Sequence, residues 1–283
     1  LAITSDKVIA LAGYTNVITY DGTTAATVAH GAAVSTAFGI NARSGGTVII
    51  STSHTNSRRS TDHGATWGNV ANYTSSNWST PSCGGENGAS TVWCCGSTAV
   101  STGLGQRSTD DGATWSSVAI SGTSIGTRGL TNDGGTSGTT EWLAVMTNTT
   151  TRKSTDNGAT WAAGNSLTNN ATGCAYLNGK FVAWDTSNLI YYAATVGTAW
   201  TVIRSPFPNT AATAINTMAY FNSKYYVLSL HGDVYSCSDI TATDPGWVKE
   251  FSLGSTITTA GNFGYFGGNI YYSNGQGVLM KIA

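Results

Sequence analysis

Short apolar runs broken every few residues by Gly, Asn, Asp and Thr set the pattern of this chain. Seven runs are apolar almost throughout: "KVIALAG" (7–13), "TVIISTS" (47–53), "TVWCCGS" (91–97), "EWLAVMT" (141–147), "KFVAWD" (180–185), "KYYVLSL" (224–230) and "NIYYSNG" (269–275). β-branched and aromatic runs of this length, punctuated by turn residues, predict strands. Around 180–185 the whole unit is legible. "GCAYLNG" (173–179) is a first strand closed by an Asn178-Gly179 turn, "KFVAWD" a second, "NLIYYAA" (188–194) a third and "AWTVIR" (199–204) a fourth. Four strands in about 40–45 residues is the size of a β-propeller blade. The pattern therefore predicts an all-β fold, a seven-bladed β-propeller in a single domain over 1–283. The blades fall at roughly 1–31, 32–72, 73–121, 122–166, 167–206, 207–253 and 254–283. The last unit reads as only three strands, so a segment upstream of Leu1 or a neighbouring chain is expected to complete it.

An octapeptide repeats inside this frame. "STDHGATW" (Ser60–Trp67), "STDDGATW" (Ser108–Trp115) and "STDNGATW" (Ser154–Trp161) start 48 and 46 residues apart, each after a basic residue (Arg59, Arg107, Lys153). Weaker copies continue the series. Ala193 takes the Ser place before Trp200, Ser236 takes it before Trp247, and Asp21 takes it upstream. The octapeptide reads as a turn. The Asp carboxylate can accept from its own loop's N–H groups, Gly can adopt positive φ, and Trp can fold back over the loop. The motif resembles the Asp-box, or BNR repeat, of sialidases and many other β-propellers. The resemblance implies a structural turn between third and fourth strands at the blade periphery, away from any substrate face. Asp62, Gly64, Trp67, Asp110, Gly112, Trp115, Asp156, Gly158 and Trp161 are then structural.

Composition narrows the function. Only 10% of residues are charged and the net charge is −1. No basic stripe with interleaved aromatics is present, so no nucleic-acid partner is expected. No apolar run approaches the ~20 residues of a bilayer span, so no membrane partner is expected. The polarity rests on Ser, Thr, Asn and Gly, a style associated with extracellular and virion proteins, and that is the expected location. The chain begins at Leu1 rather than Met and is expected to derive from a longer or processed one. The five cysteines (Cys83, Cys94, Cys95, Cys174, Cys237) lack metal spacing and read mostly as small buried hydrophobes. Cys94 and Cys95, adjacent on a strand, should face opposite sides.

A catalytic set is not apparent. Sialidases of the resembled family use an arginine triad, a Tyr–Glu nucleophile pair, an acid–base Asp and an R-I-P segment. This chain has no R-I-P. Its arginines outside the octapeptide flanks are Arg43, Arg58, Arg128 and Arg204, and its glutamates are Glu86, Glu141 and Glu250. A glycosidase needs two carboxyl groups about 5–9.5 Å apart, and only Glu141, Asp185 and Asp233 could supply them. The four histidines (His30, His54, His63, His231) show no metal spacing. No metal or other cofactor is expected. The face built by second-to-third strand loops and inter-blade loops is small and polar, which suits a polyhydroxylated ligand. From it Tyr73, Trp78, His54, Asn56, Asp185, Asn188, His231 and Asp233 are the candidate ligand-binding residues. The expected protein is a non-catalytic binding propeller. It would recognise a cell-surface glycan or protein receptor as an extracellular or virion adhesin similar to phage tail propellers. The alternatives are a purely structural component contacting other virion or tail subunits, and a sialidase-like glycoside hydrolase.

Overall fold

The computed structural model describes residues 1–12, 15–31, 37–52, 57–71, 82–83, 92–97, 103–121, 125–135, 140–208, 214–253, 262–273 and 279–281. These residues contain strands and turns and no helix. The first sheet holds β1 (Ala2–Ile3), β2 (Val8–Ala12), β3 (Asn16–Tyr20) and β4 (Ala25–Ala29). The second holds β5 (Ala37–Ala42), β6 (Val48–Thr52), β7 (Arg58–Ser60) and β8 (Gly68–Asn69). The third holds β9 (Ser82–Cys83), β10 (Trp93–Gly96), β11 (Leu104–Ser108) and β12 (Ser116–Ala119). The fourth holds β13 (Thr127–Asn132), β14 (Trp142–Met146), β15 (Thr151–Ser154) and β16 (Ala162–Ala163). The fifth holds β17 (Ala171–Leu177), β18 (Lys180–Asp185), β19 (Leu189–Ala193) and β20 (Thr201–Arg204). The sixth holds β21 (Ile215–Phe221), β22 (Lys224–Ser229), β23 (Asp233–Cys237) and β24 (Val248–Ser252). The remaining sheet holds β25 (Asn262–Phe266), β26 (Asn269–Ser273) and β27 (Leu279–Lys281).

Every sheet is an antiparallel meander in chain order. Among the described residues six blades are complete, rather than seven, and the sheet of β25–β27 has three strands and lies in the unit that reads as short in the sequence. The first strands stand side by side around an axis in the order β1, β5, β9, β13, β17, β21, β25, and β25 returns to β1. The chain is thus a closed β-propeller.

The core lies between blades. Ile9 and Val17 of the first sheet pack with Ile40, Val48 and Ile50 of the second. Val182 and Ile190 of the fifth pack with Met218, Tyr225 and Val227 of the sixth. Second strands are apolar on both faces because each is sandwiched between two neighbours. Cys95 packs toward Ile49 and Trp115, whereas Cys94 packs toward Trp142. Cys94, Cys95 and Cys237 are buried, Cys174 is half-buried, and all four are free thiols; burial pushes Cys174 and Cys237 up to about 12.

The octapeptides form one turn built three times. In the first, the Ser60 hydroxyl donates to Asp62 Oδ1 (2.7 Å) and accepts from the Gly64 N–H (2.9 Å). Asp62 also accepts from the Thr66 N–H (2.8 Å) and hydroxyl (2.6 Å), and Trp67 Nε1 donates to the Gly64 carbonyl (3.0 Å). Asp110 and Asp156 repeat these bonds, as do Trp115 and Trp161. Burial opposes the charge on Asp62, but the Thr66 and Ser60 donors outweigh it and bring its pKa down to about 2. Two residues per turn take left-handed φ, His63-Gly64, Asp111-Gly112 and Asn157-Gly158, which is why the second is glycine.

Each turn also leans on the preceding blade. A Cβ on Gly64 would sit 3.0 Å from Ile9 Cδ1, one on Gly112 2.7 Å from Ile49 Cδ1, and one on Gly158 would overlap Cys94 Sγ. Ile9, Ile49 and Cys94 are the same position of successive second strands. In two of the three copies the basic residue before the octapeptide binds the next turn. Arg59 Nε donates to the Asp111 carbonyl and Arg107 Nε to the Asn157 carbonyl, both at 2.8 Å. Two weaker copies sit one residue from their expected frame. Register pairs Val8 with Tyr20 and Tyr225 with Cys237, just as Val48 pairs with Ser60. Tyr20 and Cys237 therefore take the Ser place instead of Asp21 and Ser236. Without the Ser–Asp–Gly bonds nothing pins the turn to that frame. Asp21 instead closes a tighter loop, accepting from the Thr23 and Thr24 N–H groups.

Candidate functional site

Four of the eight candidate ligand-binding residues, Asp185, Asn188, His231 and Asp233, fall within the described residues. Tyr73, Trp78, His54 and Asn56 lie outside the described residues. Asp185 is fully buried at the end of β18. Its Oδ1 accepts from the Ser187 and Leu189 N–H groups (2.8 and 3.0 Å), and its Oδ2 from Asn169 Nδ2 (3.0 Å) and the Tyr191 hydroxyl (2.6 Å). Four donors on one carboxylate close the second-to-third strand turn and tie it to the loop before β17. Asn188, 3% exposed and at φ +60°, bridges to the sixth blade. Its Nδ2 donates to the Pro208 carbonyl (2.9 Å) and its Oδ1 accepts from the Ile215 N–H (3.0 Å). His231 is exposed. Asp233 pairs with Lys249 across β23 and β24 at 2.8 Å, and that lysine holds its carboxyl below the usual range.

The carboxylates required by a glycosidase are likewise apart in role. Glu141 accepts from the Val196 N–H of the next blade (3.3 Å), Asp185 is sealed in its turn, and Asp233 faces Lys249 on an outer strand. Among the described residues no group of three or more His, Cys, Asp or Glu converges as a metal would require.

A cavity of about 690 Å³ opens on the axis at the end opposite those loops. It is assembled from the ends of four first strands: Ile3 of β1, Leu177 of β17, Met218–Phe221 of β21, and Gly264 and Tyr265 of β25. Thr4, Ser5, Ser44 and Asn222 rim it, so among the described residues the lining carries hydroxyls and an amide but no charged side chain. In an antiparallel meander the first-to-second and third-to-fourth turns share one end, so the octapeptide turns ring this same face. Three hairpins at the mouth are as short as hairpins become. Asn178-Gly179, Asn222-Ser223 and Gly267-Gly268 each pair two positive φ values, the mark of two-residue type I′ turns. Such turns cannot fold across the axis. Its wall is an aromatic stack. Tyr265 lies parallel to Phe221 at 5.4 Å and Phe221 to Tyr226 at 4.1 Å, and Tyr265 is 36% exposed. No motif announces this site, because its parts come from strand ends spread along the chain from Ile3 to Tyr265. The one signal in the sequence is aromatics at the ends of first strands ("AYF", "GYF") just before the hairpin turn.

No protein-family model matches the sequence, and no curated protein matches it. Solved structures match the fold over nearly the whole chain. YCF48 bound to D1 peptide superposes with a TM-score of 0.69 at 11% identity, covering 99% of this chain and 89% of that one. YCF48 from Cyanidioschyzon merolae gives 0.66 at 12%, covering 99% and 96%. BamB from Moraxella catarrhalis gives 0.62 at 11%, covering 98% and 80%. These likenesses establish a β-propeller. The Asp-box resemblance remains one of motif, borne by the three turns.

Proposed function

We propose that this is a non-catalytic binding propeller that receives an uncharged, partly apolar segment of a protein partner in its axial cavity. The observation that carries the reading is the lining: apolar and aromatic side chains with a hydroxyl and amide rim and, among the described residues, no charge. Pockets of this size and character bury ligands chiefly by apolar area, with a few polar groups fixing orientation. A structural neighbour was determined with a bound peptide, which favours the same class of partner. The separate engagement of Glu141, Asp185 and Asp233 supports a role without catalysis. The low charge and Ser/Thr/Gly-rich surface support a place outside the cell or on a virion, where the partner is a receptor or a neighbouring subunit. A second reading, a cell-surface glycan stacked on the exposed ring of Tyr265, uses the same cavity.

The test is panning of a random heptapeptide library and a broad glycan array, each on the protein and on Tyr265→Ala. Enriched uncharged peptides that lose at least tenfold in affinity in Tyr265→Ala support the first reading. Glycans lost in the same variant transfer the site to a sugar. Ligands indifferent to Tyr265, or no ligand from either library, overturn the cavity as the binding site.

A further inference from the structure

The junction between the first and second blades differs from the next two. At the octapeptide end, Arg59 and Arg107 staple the following turn. The residue in that place in the first blade is Thr19, which pairs with Ile9 as Arg59 pairs with Ile49. The staple is missing there. At the opposite end, where β4 finishes and β7 begins, two basic side chains are enclosed. His30 is fully buried and Arg58 is 6% exposed. Neither His30 ring nitrogen has a hydrogen-bond partner, and neither has Arg58 Nε. Among the described residues no carboxylate pairs with Arg58; of the fourteen in the chain only Glu86 lies outside them. The guanidinium lies under Gly31, whose φ is +100° and on which a Cβ would stand 3.2 Å from Arg58 Cζ. The edge of Trp67 closes the other side of His30, with centroids 6.2 Å apart. Buried groups of this kind almost always have partners, and an enclosed cation without a counter-charge costs several kcal/mol.

We propose that this junction is an anion site, in which Arg58 Nε–H and a ring N–H of His30 hold a small monovalent anion of chloride size. Both groups offer buried, unpaired donors at the same junction, the Arg58 guanidinium lying against Gly31, which follows His30 in the chain, and the guanidinium supplies the charge. The shielding of His30 favours a monatomic anion over a bulky oxyanion. The bound ion ties β4 to β7 and takes over, at this one junction, the work of the missing staple. The burial of His30 and the nearby charge of Arg58 both lower its pKa, so the ring meets the anion as a neutral donor.

The first test is crystallisation from sodium bromide with anomalous diffraction. A bromide peak within hydrogen-bond distance of Arg58 Nε and His30 is expected. A protein group in that position, Glu86 included, overturns the proposal. The second is thermal unfolding with chloride exchanged for gluconate at constant ionic strength. Tm should rise by roughly 3 °C for each tenfold increase in chloride above its dissociation constant. The rise should vanish in Arg58→Met and persist in Glu86→Gln. A Tm indifferent to chloride in the unaltered protein, or a dependence retained by Arg58→Met, refutes the site. Should Arg58→Met not fold, the bromide map of the unaltered protein decides alone.

Discussion

Gly158→Ala isolates how much the octapeptide turn contributes as a joint between blades. Gly158 has φ +73°, and forcing an L side chain there costs about 1–2 kcal/mol. The new methyl also overlaps Cys94 Sγ, with Trp161 and Trp142 atoms already within 4 Å. Cys94 is fully buried, so the sulfur cannot move aside without displacing core, an overpacking cost of about 1–3 kcal/mol. The expected loss is about 3 kcal/mol. Gly64→Ala is the control. Its φ is +79°, but its Cβ comes closest to the flexible far end of Ile9, at 3.0 Å, with Thr19 and Trp67 atoms at ordinary contact distances of 3.4 and 3.5 Å, so it should lose about 1–2 kcal/mol, nearly all backbone strain. Cys94→Ala then provides the cycle: combined with Gly158→Ala it removes the overlap, and the double variant should be more stable than the sum of the singles by about 1–2 kcal/mol. Equilibrium urea unfolding followed by tryptophan fluorescence measures all four. Equal losses for Gly158→Ala and Gly64→Ala, or strict additivity with Cys94→Ala, would refute the idea that this glycine exists to seat one blade on another.

Asp111 accepts from Arg43 (2.7 Å), Arg59 (3.2 Å), Thr47 (2.5 Å) and Trp93 (3.2 Å); burial opposes its charge, but these donors hold its carboxyl below the usual range. Asp111→Asn leaves two half-buried arginines without a carboxylate and should lower stability by about 2 kcal/mol, read as a shift of the urea midpoint. Asp185→Ala strands two N–H groups, an amide and the Tyr191 hydroxyl, and should cost about 3 kcal/mol while the affinity of folded protein for any cavity ligand, measured by calorimetry, stays unchanged. Acid should weaken the fold through the turn aspartates. Asp62 has a folded pKa of about 2 against an ordinary 3.8, so its stabilisation is complete above about pH 4 and is lost as pH falls toward 2. Thermal unfolding across that window should show Tm falling, less steeply in Asp62→Asn.

The blades were legible because an apolar second strand needs two covered faces, and that demand writes an unbroken run such as "VIALA" or "WLAVM" into the sequence. The turns were legible because Ser, Asp, Gly and Trp each have one job at one position. The frame of the weaker copies was not, since without those bonds a strand can end one residue early or late, as Tyr20 and Cys237 show. Arg59 and Arg107 look like solvated flanks; that they reach the next turn depends on a neighbour about 50 residues on. "WDTSN" reads as a polar binding loop, yet Asp185 and Asn188 spend their polar atoms on backbone and side-chain groups inside. The cavity was hidden for the same reason as the staples: strand ends far apart in the chain form it only once the ring closes.

The turns have a direction. The glycine of each octapeptide turn seats on the second strand of the blade before it, so a stretch of chain carrying one blade also carries the fastening to its predecessor. Copying such a stretch in tandem inserts a blade and a matching fastener together, with no adjustment elsewhere in the gene. Three near-identical octapeptides in consecutive blades, beside divergent ones further along, are the expected trace of a ring enlarged by duplication of a self-attaching unit.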